Sequence, residues 1–585
     1  MSENINITFL PINKTVVCEK GKSIYDCAVK AGIYLNSPCG GNGVCGKCTV
    51  TLFPEGNQIK ACSYKVFGNI TVKLNQDISS FIPTTFIPQK NRHVDFFDET
   101  IFKKVNVVLP PPSLSDPRDD ISRIEDELIA LTGINNIDMP LHIIRQIPEI
   151  LRENNWQLYI IYAQIQDKIF LTYAGEDISF KLMAVDLGTT TIQTSLIDGE
   201  NGAILASSSV LNPQSLYGAD VINRIIAARE HLPELSMVVS NIINELMKDM
   251  QEKIKDKDSI QGIFVSGNTT MLHFLYGLNP EFIRKEPYIP VAKQLSAMAG
   301  SCLGINAPVV LSAPCIASYV GGDIVSGIID TGIYNSDKPC LLVDLGTNGE
   351  VVLACKDYTV CCSASAGPAF EGGGLKCGKR ADGGAISSVD FQNGEFVLKT
   401  IDGSPPDGIC ASGFVSLLAN LLKNKIIDKR GRFDVNSPFV TIEEESKKIV
   451  IYDDNNIFID ESDIENFMRA KSAVFGAIEF LLNSMDITAK DLDKIYIAGG
   501  ISESLNIKDC LTIGLLPYIE FDKYMLYGNT SLNGSLKILG DKGLYEKAVD
   551  ISRQALYFDL SSAPEFNELW SAGMFFPHTD ISKFQ

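Results

Sequence analysis

Four cysteines carry the first chemistry legible in this chain. Cys39, Cys45 and Cys48 stand in the stretch SPCGGNGVCGKC, with five and then two residues between them, and Cys62 follows on a later segment. A two-iron cluster takes four thiolates, two per iron. Three ligands from one loop can wrap one side of it, and a fourth from a strand can close the far side. Gly40, Gly41, Gly43 and Gly46 let the backbone come close and turn its amides toward sulfur. Zinc and a disulfide compete for the same residues. Structural zinc more often uses two C-x2-C pairs, whereas this segment has one such pair and two single cysteines.

Phosphate chemistry is legible in two later peptides. LMAVDLGTTTIQTSLID at 182–198 and CLLVDLGTNGEVVLAC at 340–355 each read as an apolar strand, then Asp-Leu-Gly-Thr, then a second apolar strand. Gly188 and Gly346 permit tight turns whose amides can face a phosphate. Thr189, Thr190, Thr191, Thr347 and Asn348 add polar side chains. Asp186 and Asp344 stand where Mg2+ and its waters are held. One such turn is weak evidence, since Asp and Gly are common between strands. Two copies in matching apolar settings are a stronger signal. A third piece, DKIYIAGGISESLNI at 493–507, predicts a strand and then Gly499–Gly500 entering a helix, a turn able to pack on a base or ribose. The stretch SASAGPAFEGGGLKCG contains Gly372 and Gly373; a nucleotide-facing loop and a plain turn cluster are equal readings of it. Gln214 and Asp220 are the polar candidates to face a γ-phosphate, and His273 reads as a packed histidine.

The elements that must position these groups fall into four segments. Residues 1–80 read as a small strand–strand–helix–strand module, with Ile24, Ala28 and Ile33 near one helix face. Residues 81–118 are proline-rich and predict an extended, stiff linker. Residues 119–180 predict two helices and two strands, a small α+β middle domain. From 181 to 585 the pattern is α/β with glycine-rich turns.

The chain has 585 residues, a net charge of −20 and 45% hydrophobic content. That is globular composition, and its acidity argues against nucleic acid as a partner. The first 80 residues differ, with eight Lys against five acids, which would steer an acidic carrier or favour docking on the chain itself. MSENINITFL has no basic region before an apolar run, so no signal peptide is predicted, and no apolar stretch is long enough for a membrane span. A cytoplasmic location follows, which disfavours disulfides among the fifteen cysteines. Cys18, Cys27 and the cysteines from Cys302 onward read mainly as packed thiols.

The cysteine loop resembles that of [2Fe–2S] ferredoxins, in the adrenodoxin-like spacing, and implies a β-grasp fold for residues 1–80. The three nucleotide pieces, in their order, resemble the superfamily of actin, sugar kinases and chaperone ATPases. That implies two ribonuclease-H-like lobes with ATP between them. The pair together, with NPQSLYGADVINRI, SGNTTMLHFLYG, SAGPAFEGG, IAGGIS and GNTSLNGS, resembles one family: reductive activators of corrinoid proteins. The resemblance implies an enzyme that uses ATP and Mg2+ to return cob(II)amide to cob(I)amide on a corrinoid methyl-carrier protein. The electron passes through a [2Fe–2S] cluster from a low-potential donor, and the Co(II)/Co(I) couple is expected to lie below the cluster's. It also implies a homodimer. Two other classes use similar loops. One is a small-molecule kinase with a redox-sensing ferredoxin domain. The other is an activator of radical dehydratases, whose CAAGTG has no cysteine counterpart in SASAGPAF.

Overall fold

The computed structural model describes residues 4–584 apart from 12, 32, 34, 36–40, 42, 44–47, 76–82, 89–92, 97–98, 257–258, 393 and 444–445. The chain forms two compact units, Met1–Ser326 with Ser531–Asp550, and Gly327–Thr530 with Ile551–Gln585. No helix among the described residues is long and apolar enough to cross a membrane.

The first unit opens with β1 (Asn4–Leu10), β2 (Lys14–Glu19), α1 (Ile24–Lys30), β3 (Thr49–Phe53), β4 (Gln58–Lys60) and β5 (Ile70–Leu74). The strands form a mixed sheet in the order β2-β1-β5-β3-β4, with β1 and β5 parallel. Ile5, Ile7 and Phe9 alternate inward along β1, as the pleat requires. A capping box starts α1: Ser23 Oγ accepts from the Asp26 amide, and the Asp26 carboxylate accepts from the Ser23 amide. This is a β-grasp arrangement. The strand expected over IKACSYKV is cut to β4, because residues 61–63 turn.

Next come β6 (Thr84–Phe86), β7 (Phe102–Val108), α2 (Asp120–Thr132), β8 (Asn136–Asp138), α3 (Leu141–Ile144), α4 (Ile147–Glu153), β9 (Gln157–Ile165) and β10 (Lys168–Gly175). Four of them make the sheet β7-β9-β10-β8. Asp119 caps α2, and Gly133 ends it at φ 72°. PLHIIRQIPEILREN predicts one helix but forms α3 and α4. Pro148 has no amide hydrogen and suits only a first turn, so a new helix begins there.

The first unit continues with β11 (Lys181–Leu187), β12 (Thr191–Asp198), β13 (Ile204–Leu211), α5 (Val221–Ile254), β14 (Ile260–Gly267), α6 (Thr269–Leu275), β15 (Met298–Ala299) and β16 (Val309–Ser312), and takes in residues 531–550 from later in the chain. They form the sheet β15-β16-β14-β11-β12-β13-β6. The proline-rich stretch is therefore partly sewn onto this unit. β6 pairs antiparallel with β13, and the Val94 amide donates to Gly202 O at 2.8 Å. α5 kinks at His231, two residues before Pro233.

The chain continues through α7 (Gly322–Thr331) to β17 (Cys340–Leu345), β18 (Gly349–Cys355), β19 (Tyr358–Ala364), β20 (Ala385–Gln392), β21 (Glu395–Thr400), β22 (Gly408–Ile409), α8 (Ala411–Lys423), β23 (Val440–Glu443), β24 (Ser446–Tyr452), β25 (Ile457–Asp460), α9 (Glu461–Ser484), β26 (Lys494–Ala498), α10 (Ile507–Ile513), β27 (Tyr524–Gly528), α11 (Thr530–Gly540), α12 (Lys542–Gln554), β28 (Leu556–Phe558) and α13 (Pro564–Gly573). Its main sheet is β27-β26-β17-β18-β19-β28. Apart from edge strands, each unit repeats one pattern: third, second, first, fourth, fifth strand, with the second antiparallel to the rest. That is the ribonuclease-H-like order. β14 and β18 are buried along their whole length, including Gln261, Ser266 and Glu350.

Candidate functional site

In the first unit, β11 and β12 run antiparallel and leave Asp186 opposite Gln193 at the mouth of their turn. Gly188 holds the turn tight, since a Cβ there would lie 2.3 Å from Thr191 O. Two asparagines brace this loop from outside. Asn212 donates through its amide to Thr190 O at 2.9 Å and through Nδ2 to Gly188 O at 2.8 Å. Asn268, which caps α6 through the Met271 amide, donates from Nδ2 to Thr189 Oγ1 at 2.8 Å. Carbonyls on one side of the loop are thus occupied. Ser531 at the start of α11 donates to Asp186 Oδ1 at 2.8 Å, and its Oγ lies 2.7 Å from Ser266 Oγ. Asp186, Gly188, Thr189, Thr190 and Thr191 are half-buried at the end of a mostly buried strand pair.

The second unit repeats the device with other supports. β17 and β18 put Asp344 opposite Glu350. The Gly346 amide donates to Asn348 O at 3.1 Å, closing the turn. Thr347 Oγ1 donates to Glu371 Oε1 at 2.6 Å, which ties this loop to the glycine-dense segment. Gly499 follows β26 at φ +96°, and a Cβ on it would lie 2.4 Å from Leu345 O and 2.9 Å from Asp344 Oδ1. Only glycine fits both constraints. A Cβ on Gly500 would meet nothing within 4 Å, so open space lies above that residue. The segment after it is a short 3-10 turn, Ser502–Ser504, before α10, rather than the helix expected directly. Gly372 and Gly373 donate to Ala369 O and Pro368 O, so their amides serve the turn itself. Glu371 is the residue of that segment that reaches the Asp344 turn.

Cys48 precedes β3 and Cys62 follows β4, and their Sγ atoms lie 3.2 Å apart without a disulfide. Two of the four expected thiolates are therefore side by side; Cys39 and Cys45 lie outside the described residues. Gly41 and Gly43, in the same loop, have φ of +84° and +79°, a region glycine adopts freely. The donor set present suits an iron–sulfur cluster.

Gln214 and Asp220 do not face a phosphate. Gln214 is fully buried and donates to Leu235 O at 3.0 Å, while Asp220 caps α5 through the Asn223 amide at 2.8 Å. His273 is packed: Nδ1 donates to Thr269 O at 2.7 Å, Nε2 accepts from the Val291 amide at 3.1 Å, and burial lowers its pKa. From Cys302 onward all cysteines except Cys302 and Cys377 are buried. Burial pushes the Cys361 thiol up to about 12 and raises the Cys362 thiol well above its ordinary value, which suits packed thiols of β19. Asn212, Asn268, Ser531 and Glu371 were not singled out from sequence. The first three lie in the motifs NPQS, SGNTT and GNTS, whose asparagines and serine were the available signal.

Three regions of one family match in order: a RACo linker region at 92–190, a RACo middle region at 182–336, and the C-terminal domain of RACo, the ASKHA domain, at 338–585. A solved structure described as a reductive activator for corrinoid, iron-sulfur protein matches over 99% of each chain at 33% identity with a TM-score of 0.75. The chain belongs to the RACo family of reductive activators of corrinoid proteins. The Asp186 loop thus lies in the RACo middle region, and the Asp344 loop and Gly499–Gly500 in the ASKHA domain. The corrinoid activation enzyme RamQ of Eubacterium limosum is 26% identical over 98% of this chain and 99% of its own. A [Co(II) methylated amine-specific corrinoid protein] reductase of Methanosarcina barkeri is 24% identical over 67% of this chain and 77% of its own.

Proposed function

We propose that this RACo family member drives a one-electron reduction of cob(II)amide to cob(I)amide on a methyl-carrier protein, at the expense of ATP. The observation that carries this reading is the match to a solved reductive activator over 99% of both chains. A [2Fe–2S] cluster held by Cys39, Cys45, Cys48 and Cys62 supplies one-electron transfer at low potential, near about −400 mV for the plant type. The 3.2 Å separation of the Cys48 and Cys62 Sγ atoms supports that assignment.

The Asp186 loop and the Asp344 loop are each read as a phosphate-binding loop. Asp186 and Asp344 are the carboxylates that would each hold Mg2+. The amides of residues 188–190 and 347–348 face phosphate oxygen, with Thr189, Thr190, Thr191, Thr347 and Asn348 adding side-chain contacts, while the Gly346 amide closes its own turn. Gly499 sets the adenosine turn, and the space above Gly500 receives base or ribose. Gly372 and Gly373 shape the segment that carries Glu371.

For one electron, each ~59 mV uphill costs about 1.4 kcal/mol. A gap of about 100–200 mV therefore asks for a few kcal/mol. ATP supplies it only by binding two states of the activator differently. Tighter binding of the Co(II) carrier in the ATP state, with loss of a cobalt ligand, raises the cobalt potential. A low-potential donor reloads the activator, which works as a homodimer in the cytoplasm. Family membership sets aside the metabolite kinase and the dehydratase activator.

The test is a panel of cobalamin-bearing carriers mixed with the reduced, full-length chain with and without MgATP, followed at the Co(I) absorbance band. ATP raises the yield with at least one carrier; equal yields throughout would refute the reading.

A further inference from the structure

Tyr25 grips three parts of the first unit at once. Its amide donates to Ala61 O at 3.1 Å, next to Cys62. Its ring lies on the cysteine loop, where a Cβ on Gly41 would stand 2.5 Å from ring carbons. Its hydroxyl donates to Leu216 O, outside the β-grasp module. Val29, one turn further along α1, packs against both the module's core and the core around β11 and β12. Tyr25 itself is 5% exposed.

Leu216 ends a 3-10 turn, Pro213–Leu216, whose cap is Asn212. Asn212 is the residue that holds Gly188 O and Thr190 O. A short hydrogen-bonded run thus joins the Asp186 loop to Tyr25, and through Tyr25 to the segments that carry Gly41 and Cys62. Residues 212 to 216 span it, and the Gln214 side chain pins the middle to Leu235 O. The module is also the Lys-rich part of an acidic chain, which favours its docking on that chain.

We propose that Tyr25 is a positioning residue that couples nucleotide at the Asp186 loop to the seating of the cysteine-bearing module. This rests on the reading that ATP phosphates bind residues 188–190. Phosphate on that loop holds its carbonyls toward Asn212, which fixes the 213–216 turn and firms the seat of α1. Coupling is reciprocal, so loosening α1 must weaken nucleotide binding by the same factor.

The experiment is hydrogen exchange on the full, anaerobically cluster-loaded chain, with and without the non-hydrolysable analogue Mg·AMP-PNP, on wild type, Tyr25→Phe and Val29→Ser. In the wild type the analogue slows exchange at 186–191 and also at 24–31, by roughly 5-fold or more. In both variants the α1 response shrinks and analogue affinity falls by the matching factor, while the visible spectrum of the cluster stays that of the wild type. Protection at 186–191 with no change at 24–31, or an undiminished α1 response in both variants, overturns the coupling. No protection at 186–191 overturns the nucleotide reading, and the coupling with it.

Discussion

Ser531 donates its hydroxyl to Asp186 across 345 positions of sequence, and Ser266 stands behind it at 2.7 Å. The carboxylate assigned to the metal is therefore aimed by a helix that arrives late in the chain. Ser531→Ala removes that aim while leaving the packing, since the residue is small and buried. A hydrogen bond to a charged group contributes about 1.5–3 kcal/mol. ATP hydrolysis should fall roughly 10- to 100-fold with a raised Mg2+ requirement. A Mg2+ titration of turnover checks it, and an unchanged midpoint would remove Ser531 from this role.

The two glycines after β26 should part company. Gly499→Ala puts a Cβ 2.4 Å from Leu345 O at a φ of +96°. Strain of this kind costs on the order of 1–3 kcal/mol. Thermal unfolding of the variant should come several degrees early, and nucleotide binding should be lost. Gly500→Ala meets no atom within 4 Å and should unfold as the wild type does. Its defect should appear only as weaker binding of ATP relative to inorganic triphosphate, measured by calorimetry.

Cys62→Ser removes one of the two thiols that lie 3.2 Å apart. Purified anaerobically, that variant should lose the two-iron optical and EPR signals, while its ATP affinity stays within about the 5-fold floor of allosteric coupling. Iron counting and a nucleotide titration together check it. A full complement of iron in Cys62→Ser would mean that the ligand set is different.

The C-terminal segment supplies a pH test. Lys471 is fully buried on α9 and donates to Gly573 O at 2.7 Å, Phe575 O at 2.9 Å and Pro577 O at 2.6 Å. Burial pulls its pKa from 10.5 down to about 7. Between those values the unfolded chain binds more protons than the folded one, so stability rises with pH over that window. Urea unfolding followed at Trp570 should show the midpoint climbing from pH 7 toward pH 10. Lys471→Met should be weaker, with three carbonyls unsatisfied, and should lose that slope.

Much of the chemistry was legible because it sits in short, local patterns. The Asp186 hairpin and the Gly499 turn each combine a strand with a glycine whose Cβ would lie 2.3 or 2.4 Å from a backbone carbonyl oxygen. The duplicated ribonuclease-H-like order was implied by the resemblance of the three nucleotide pieces to one superfamily, and the sheets carry it. What escaped was long-range. Ser531 meets Asp186, and Tyr25 meets Leu216 across 191 positions, and neither has a periodicity that points to its partner. β6 looked like linker because prolines surround it; its three residues are strand only because β13 offers an unpaired edge. Gln214 and Asp220 were polar residues in the right neighbourhood, yet a buried carbonyl and a helix start claim them first.

The central claim is that one electron leaves the cysteine-bound centre for cobalt only when ATP is present. Reduce the cluster-loaded chain stoichiometrically, remove excess reductant, and add a cob(II)amide carrier in rapid-mix optical and EPR experiments. With MgATP the account predicts that the reduced-cluster signal disappears as the Co(I) band grows, one for one, and that omitting the nucleotide abolishes both changes. Co(I) forming equally well without ATP, or forming while the cluster stays reduced, would contradict it.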